Sequence, residues 1–314
     1  MTSRTEQTRQ LGQNAVTVAA LALLIAYLYL QRAHVGAHYE FSLGKLLALA
    51  GLVVLTLLLR GMANRLIFAR LGAIAPLRDW FAIVSVSALS SYLPASSGLV
   101  SKAHFLKRAH SVTYRQFAVG QVTLLVLSIA THGAIGVVTL ALWRPAAAVW
   151  IAIVFAAMSA AGSLVLLPER AAQFARGRWL PLDTATVARM RVSFPTVIAL
   201  QIGVLLATAC ALEIGFSMGP ADVSFAACMV FSAGTVLTRL VWITPGGLGV
   251  REFLVGGLAV VTGFELRDAV IASVAVRLAE IGATIALGSF SSLRLAHQLS
   301  TIPDEPAAPR SSGA

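Results

Sequence analysis

Six apolar runs dominate this chain, at roughly 12–30, 43–60, 117–142, 146–167, 194–214 and 268–290. Each approaches the ~20 residues that an α-helix rising about 1.5 Å per residue needs to cross about 30 Å of hydrocarbon. Composition shows why they cannot be packed into a water-soluble core. Of 314 residues, 58% are hydrophobic and only 12% charged, with a mean hydropathy of +0.82, against roughly 25% charged residues in an average soluble domain. So little polar surface cannot cover so much apolar side chain. The sequence therefore predicts an all-α polytopic membrane protein.

Two further apolar regions do not read as plain spans. The run 80–93 is too short to cross and breaks at Pro94-Ala95-Ser96-Ser97-Gly98, and 222–262 breaks at Pro245-Gly246-Gly247-Leu248-Gly249, where proline removes a helical hydrogen bond and glycine loosens the backbone. The positive-inside rule favours reading both as re-entrant hairpins. Arg4, Arg9, Arg60, Arg65, Arg70, Arg78, Lys102, Lys107, Arg108, Arg115, Arg170, Arg176, Arg178, Arg189, Arg191, Arg294 and Arg310 then share the inside face, and both termini are cytoplasmic. The alternative is eight ordinary spans, with 99–115 part of a tilted membrane helix.

With re-entrant hairpins, each half holds two spans, a broken hairpin and a third span. An odd number of crossings per half makes the second an inverted copy of the first. The breaks also align, Pro94-x-x-x-Gly98 against Pro245-x-x-x-Gly249. The predicted organisation is a cytoplasmic N-terminus over 1–11, a first membrane repeat over 12–142, and a second over 143–290 that includes a cytoplasmic segment, 168–193. A disordered, Pro- and Ser-containing cytoplasmic tail follows over 291–314.

Net charge is +11, yet the basic residues lie between apolar runs and form no block with interleaved aromatics, so nucleic acid is excluded as a partner. Cys210 and Cys228 sit in apolar stretches and read as packing residues. The first apolar run lacks a small-residue cleavage site and reads as a retained helix. His34 and His38 lack a third metal ligand. No phosphate-binding loop of the type G-x-x-x-x-G-K-[ST] occurs, and no cofactor is expected.

Ionisable side chains at membrane depth cost roughly 2.5–3.5 kcal/mol each on insertion scales, so the few present are the candidate site. Arg239 lies late in its apolar run, Arg251 and Glu252 open the helix after the Pro-Gly-Gly break, and Arg277 and Glu280 stand three apart in the last span. One reading is structural: Arg277 pairs with Glu280, and Arg251 and Glu252 snorkel to an interface. The other is a site for an anionic head group, built from those side chains and from the break that Pro245 opens, with backbone N–H groups at Gly246, Gly247 and Gly249.

In the first hairpin, Pro94, Ser96, Ser97, Gly98 and Ser101 with Lys102 offer hydroxyls and a counter-charge at the cytoplasmic mouth, or else serines that cap a helix. Irregular backbone at this depth needs protein or a cavity around it, and paired broken helices are a transporter signature. A Ser97–His132 hydrolase dyad has poor support, because no G-x-S-x-G is present and His132 lies in a Gly-containing helix contact.

The stretch Thr244-Pro245-Gly246-Gly247-Leu248-Gly249-Val250-Arg251-Glu252 resembles the lysylphosphatidylglycerol synthetase membrane-region, or flippase-like, family. Leu93-Pro94 with Gly98, the Lys102–Arg108 stretch and Arg277 support the resemblance over about residues 12–290. It implies translocation of a lipid across the bilayer of a bacterial inner membrane. It also implies a stand-alone member without the soluble domain that aminoacylates phosphatidylglycerol. The expected partners are membrane lipids with an anionic head group, and a lipid-modifying or glycosyltransferase enzyme. The expected substrate is an anionic or aminoacylated phospholipid or a lipid-linked sugar, and the chain is not expected to be an enzyme. The family's first-half motif would carry an acidic residue after Gly98, where this chain has Leu99, Val100 and Ser101. A small-solute secondary transporter and a non-transporting membrane partner of an enzyme are the competing classes.

Overall fold

A computed structural model describes residues 26, 29–30, 38–92, 97–143, 149–166, 184–239 and 247–300. Most of the expected first span, residues 168–183 of the segment between the halves, and the chain from residue 301 lie outside them, while residues 291–300, expected in the disordered tail, continue the last helix. Among the described residues all regular structure is helical, with no strand. Helix α1 covers Leu43–Ala69 and opens on Ser42, whose Oγ accepts the Lys45 N–H at 3.3 Å. Helices α2 (Leu77–Ser90) and α3 (Ser97–His110) form a pair, followed by α4 (Tyr114–Trp143) and α5 (Val149–Leu166). A short α6 (Thr184–Arg191) leads into α7 (Phe194–Phe216). Then come α8 (Phe225–Thr235), extended by a 3₁₀ turn (Val236–Arg239), α9 (Val250–Val261) and α10 (Leu266–Ser300).

Helices α1, α4, α7 and α10 are long and apolar enough to cross a membrane, while the apolar stretch of α5 is shorter. One boundary differs from the sequence reading in a way that matters. Helix α1 does not stop near residue 60 but runs on to Ala69, because Ala63, Ile67 and Phe68 recur at helical spacing and are buried. Arg60, expected in a loop on the inside face, therefore lies within the helix.

Helices α2 and α3 have 14 residues each and α9 has 12, giving lengths of about 21 Å and 18 Å at 1.5 Å per residue, short of a crossing. Each pair folds as a helical hairpin within the bundle. One apolar core joins the end of α1 (Ile67, Phe68) to Trp80 at the start of α2, Leu106 late in α3, Leu124 in the first half of α4, and Leu295 late in α10. A second core joins Leu49 at the start of α1 to Leu140, Leu212, Phe231 in α8, Ala259 in α9 and Ala272 early in α10. The α2/α3 hairpin thus begins and returns at one end of the bundle, and α8/α9 at the other.

The packing partners repeat between the halves. α1 packs on α2 as α7 packs on α8, α10 lies along α2 as α4 lies along α8, and α1 touches α10 as α7 touches α4. Helices α1 and α7 meet each other at the centre of the exchange. Close approach is made by small residues. A Cβ at Gly136 of α4 would enter the Phe155 ring of α5, and one at Gly133 would fall 2.6 Å from the Phe155 carbonyl oxygen. This packing surrounds His132, whose Nδ1–H donates to the Ser128 carbonyl at 2.7 Å, so the histidine is held within its own helix.

Gly136→Ala is expected to destabilise the fold by about 1–3 kcal/mol through overpacking. Gly51→Ala, where nothing lies within 4 Å of the added carbon, should be neutral or stabilising by up to about 1 kcal/mol. Thermal unfolding of the purified protein in detergent checks both, and equal effects would contradict the interface.

Candidate functional site

The second break is built by glycine conformation. Gly247 and Gly249 adopt φ of 71° and 82°, a region that side-chain-bearing residues rarely occupy. Helix α9 starts immediately after Gly249, and Glu252 reaches back so that its Oε2 accepts the Gly249 N–H at 2.8 Å. The carboxylate thereby satisfies an orphan donor at a helix N-terminus and sits where the helix dipole favours negative charge. Glu252 is fully buried.

Helix α10 completes the arrangement from its middle. Leu278 is 64% exposed while its neighbour Arg277 is 7% exposed, so one face of the helix is set for lipid and the next turns inward. Oε2 of Glu280 accepts from Nη1 of Arg251 at 2.6 Å and from Nη1 of Arg277 at 3.1 Å. Nε of Arg277 and Oε1 of Glu252 face each other at 3.8 Å, an ion pair too long for a hydrogen bond. Arg60 of α1 lies within electrostatic range of Glu280, Arg251, Arg277 and Tyr92.

The two hairpin turns converge here. Tyr92, beyond the end of α2, places its ring 5.4 Å from the Arg277 guanidinium carbon, a cation–π contact. On the other side, a Cβ at Gly247 would stand 3.9 Å from Nη2 of the same arginine. Among the described residues three guanidinium groups thus gather about two carboxylates, leaving one positive charge in excess. Among the described residues the buried donors Nε of Arg60, Nε of Arg251, and Nε and Nη2 of Arg277 have no hydrogen-bond partner, against a single unfilled acceptor, Oε1 of Glu252. Arginine cannot shed its proton to relieve this, so the cluster is short of acceptors, and an oxyanion with several oxygens suits it chemically.

A family model described as Lysylphosphatidylglycerol synthase TM region matches residues 14–288. The chain belongs to that family. No curated protein matches it. Together with the apolar helices, the membership makes it a multi-pass membrane protein of lipid-related processes.

Within this lysylphosphatidylglycerol synthase TM-region fold, the site residues expected from sequence fall into three groups. Arg251, Glu252, Arg277 and Glu280 come together, with Gly247 and Gly249 shaping the turn beside them. Arg277 does pair with Glu280, but Arg251 and Glu252 point into the protein and do not snorkel. Lys102 makes no contact with these residues. It is 5% exposed and donates to Oδ1 of Asn64, with Phe68 beneath it at 5.5 Å. Gly98 serves a close helix approach, since a Cβ there would collide with the Ser87 carbonyl oxygen, and Ser87 Oγ donates to the Gly98 carbonyl at 2.8 Å.

Pro94, Ser96, Pro245 and Gly246 lie outside the described residues. Ser97 opens α3 and Arg239 closes the 3₁₀ turn. Two members of the cluster were not singled out from sequence. Arg60 looked like the end of a span, although the helical recurrence of Ala63, Ile67 and Phe68 after it carried the signal. Tyr92 is one of several aromatic residues, and only the fold brings it to Arg277.

Glu280→Gln keeps the shape but leaves Arg251 and Arg277 without their shared carboxylate, and breaking such a buried pair costs about 3–5 kcal/mol. Adding Arg251→Gln should recover part of that loss, giving a coupling of about 0.5–3 kcal/mol in a double-mutant cycle. Denaturation in mixed micelles measures it, and a Glu280→Gln variant as stable as the parent would contradict the ion-pair geometry.

Proposed function

We propose that the protein is a flippase-like translocase that moves a phosphate-bearing lipid, an anionic or aminoacylated phospholipid or a lipid-linked sugar, between the leaflets. The reading assigns head-group binding to the Arg60–Arg251–Arg277 cluster. The observation that carries it is the convergence of two hairpin turns, entering from opposite ends of the bundle, on Arg277. Broken helices meeting at mid-depth between two related halves are the arrangement in which a site can be opened first to one side and then to the other. The recurring helix partnerships support an inverted repeat, in which one half rocks against the other about the α1–α7 contact.

On this reading the guanidinium donors left without partners take the lipid phosphate, and Glu252 and Glu280 limit the excess positive charge when the site is empty. The sequence offers no nucleotide-binding loop, so the driving force is a lipid gradient or protons exchanged on a carboxylate of the cluster. The distribution of arginines and lysines supports a bacterial inner-membrane orientation with both termini in the cytoplasm. An enzyme that modifies lipids or transfers sugars would supply or consume the translocated lipid, and the chain itself would perform no chemistry.

Reconstitution into proteoliposomes tests this, with labelled anionic, aminoacylated and polyprenyl-phosphate lipids followed by leaflet-specific quenching. Transbilayer movement of one class is expected to fall at least tenfold in Arg251→Ala and in Arg277→Ala, as expected for loss of a charge-assisted phosphate contact of roughly 1.5–3 kcal/mol. Movement of no lipid, or movement indifferent to both substitutions, would overturn the assignment and favour a solute transporter or a non-transporting partner.

A further inference from the structure

One buried basic side chain lies outside the arginine cluster and has no counter-charge. Lys102 of α3 is 5% exposed, and no carboxylate pairs with it among the described residues. Its acceptor there is the neutral Oδ1 of Asn64 on α1, an oxygen that also accepts from Nε2 of Gln121 on α4 at 3.4 Å. The other end of Asn64 is committed as well, with Nδ2 donating to the Arg60 carbonyl at 2.7 Å. The Phe68 ring centre lies 5.5 Å from the lysine nitrogen. An ammonium brings three N–H groups and a full charge, and this packing offers it one shared neutral oxygen and a ring face. A neutral amine fits the same surroundings without a buried, unpaired charge, and lysine, unlike arginine, can give up its proton.

Lys102 also stands beside a route for protons. It borders a cleft of about 280 Å³ between α2, α3 and α10, whose lining includes Ser87, Ser101, Ser292 and the exposed His104. The other charged groups of the surrounding helices are turned outward or engaged elsewhere. On α1, Arg65 is exposed and Arg60 belongs to the cluster. Asp79 of α2 and Arg294 of α10 hold each other at 2.9 Å, and Arg78 and His297 on those helices are exposed. On α3, Lys107 lies over the Tyr114 ring, Arg108 is exposed and His110 stands edge-on to Phe105, while Arg115 of α4 is exposed. We propose that Lys102 is a proton-binding site, a neutral amine while α3 is packed against α1, which takes one proton from the cleft and becomes an ammonium when that packing opens. The packed form then holds one proton fewer than the opened form, so falling pH favours opening, and rising pH favours packing up to the ordinary lysine value of about 10.4. Asn64 joins the lysine nitrogen to the Arg60 carbonyl, so the opening bears on the helix that carries Arg60. The site does not depend on lipid translocation.

The chain has three lysines, Lys45, Lys102 and Lys107, so heteronuclear NMR of the side-chain nitrogens in the lysine-labelled full chain reads the charge state directly. In detergent, two signals are expected to remain ammonium up to near the ordinary value of about 10.4. The third, absent from Lys102→Met, is expected to lose its proton at least about two pH units earlier, a hundredfold weaker proton affinity. Asn64→Asp keeps the lysine and supplies the missing counter-charge, and it should return that signal to the ammonium form over the same range. Unfolding by denaturant in mixed micelles gives the linked readout. The parent's unfolding constant should fall by up to about tenfold for each unit of rising pH between the two titrations, a component that Lys102→Met and Asn64→Asp both lose. An ammonium at Lys102 throughout would overturn the proposal, as would a pH dependence that neither substitution changes.

Discussion

The carboxylate of Glu280 holds the structure's centre together. It accepts from Arg251 on α9 and Arg277 on α10 at once, and Arg60 on α1 lies within its field. Each ionised group would cost a few kcal/mol alone in hydrocarbon. Together they are tolerable only where the helices carrying them meet. The two hairpins are short for the same reason: their turns have to reach the middle of the bundle, and a helix long enough to cross would carry Tyr92 and Gly247 past it.

Around that centre the packing is generic in chemistry and specific in shape. Ridges of Leu, Ile and Phe form two cores at opposite ends, and close contacts fall at small residues such as Gly133 and Gly136 against Phe155. Without a hydrophobic driving force between helices inside a bilayer, such close van der Waals approach is what holds neighbouring helices together. Polar contacts tie the ends. Arg294 donates to Asp79 at 2.9 Å across α10 and α2, and the Tyr39 hydroxyl donates to Asp268 at 3.2 Å at the opposite end.

Much of the helical framework was legible from apolar run length, and both breaks were legible from proline and glycine. Those signals are local, and local composition decides whether a segment is helical in lipid. The charged pairs on α9 and α10 were legible as well, because an ionisable residue in an apolar run has few innocent explanations. Arg60 was not, since a window that stops at the first arginine ends the helix two turns early. The partnership of Lys102 with Asn64 was equally hidden. The lysine's neighbours in sequence are basic and suggest a surface, and only packing of α3 against α1 reveals that its side chain is buried. Gly98 and Gly249 hold aligned positions in sequence yet act differently, one permitting close helix contact and the other a left-handed turn, a distinction that spacing does not encode.

The cluster is also divided unevenly along the chain, and this has a consequence for biosynthesis. Arg251, Glu252, Arg277 and Glu280 are made close together and are electrically balanced among themselves. Arg60 emerges about 220 residues earlier than Glu280, at ribosomal rates of about 5–20 residues per second a delay of roughly 10 to 45 seconds. During that interval α1 carries an uncompensated guanidinium with no carboxylate yet synthesised to receive it. The helix therefore enters the bilayer on its apolar length alone, and Arg60 meets the rest of the cluster only once the C-terminal helix has been made. Final seating of α1 is therefore a late, post-insertion event, set by completion of the C-terminal helix.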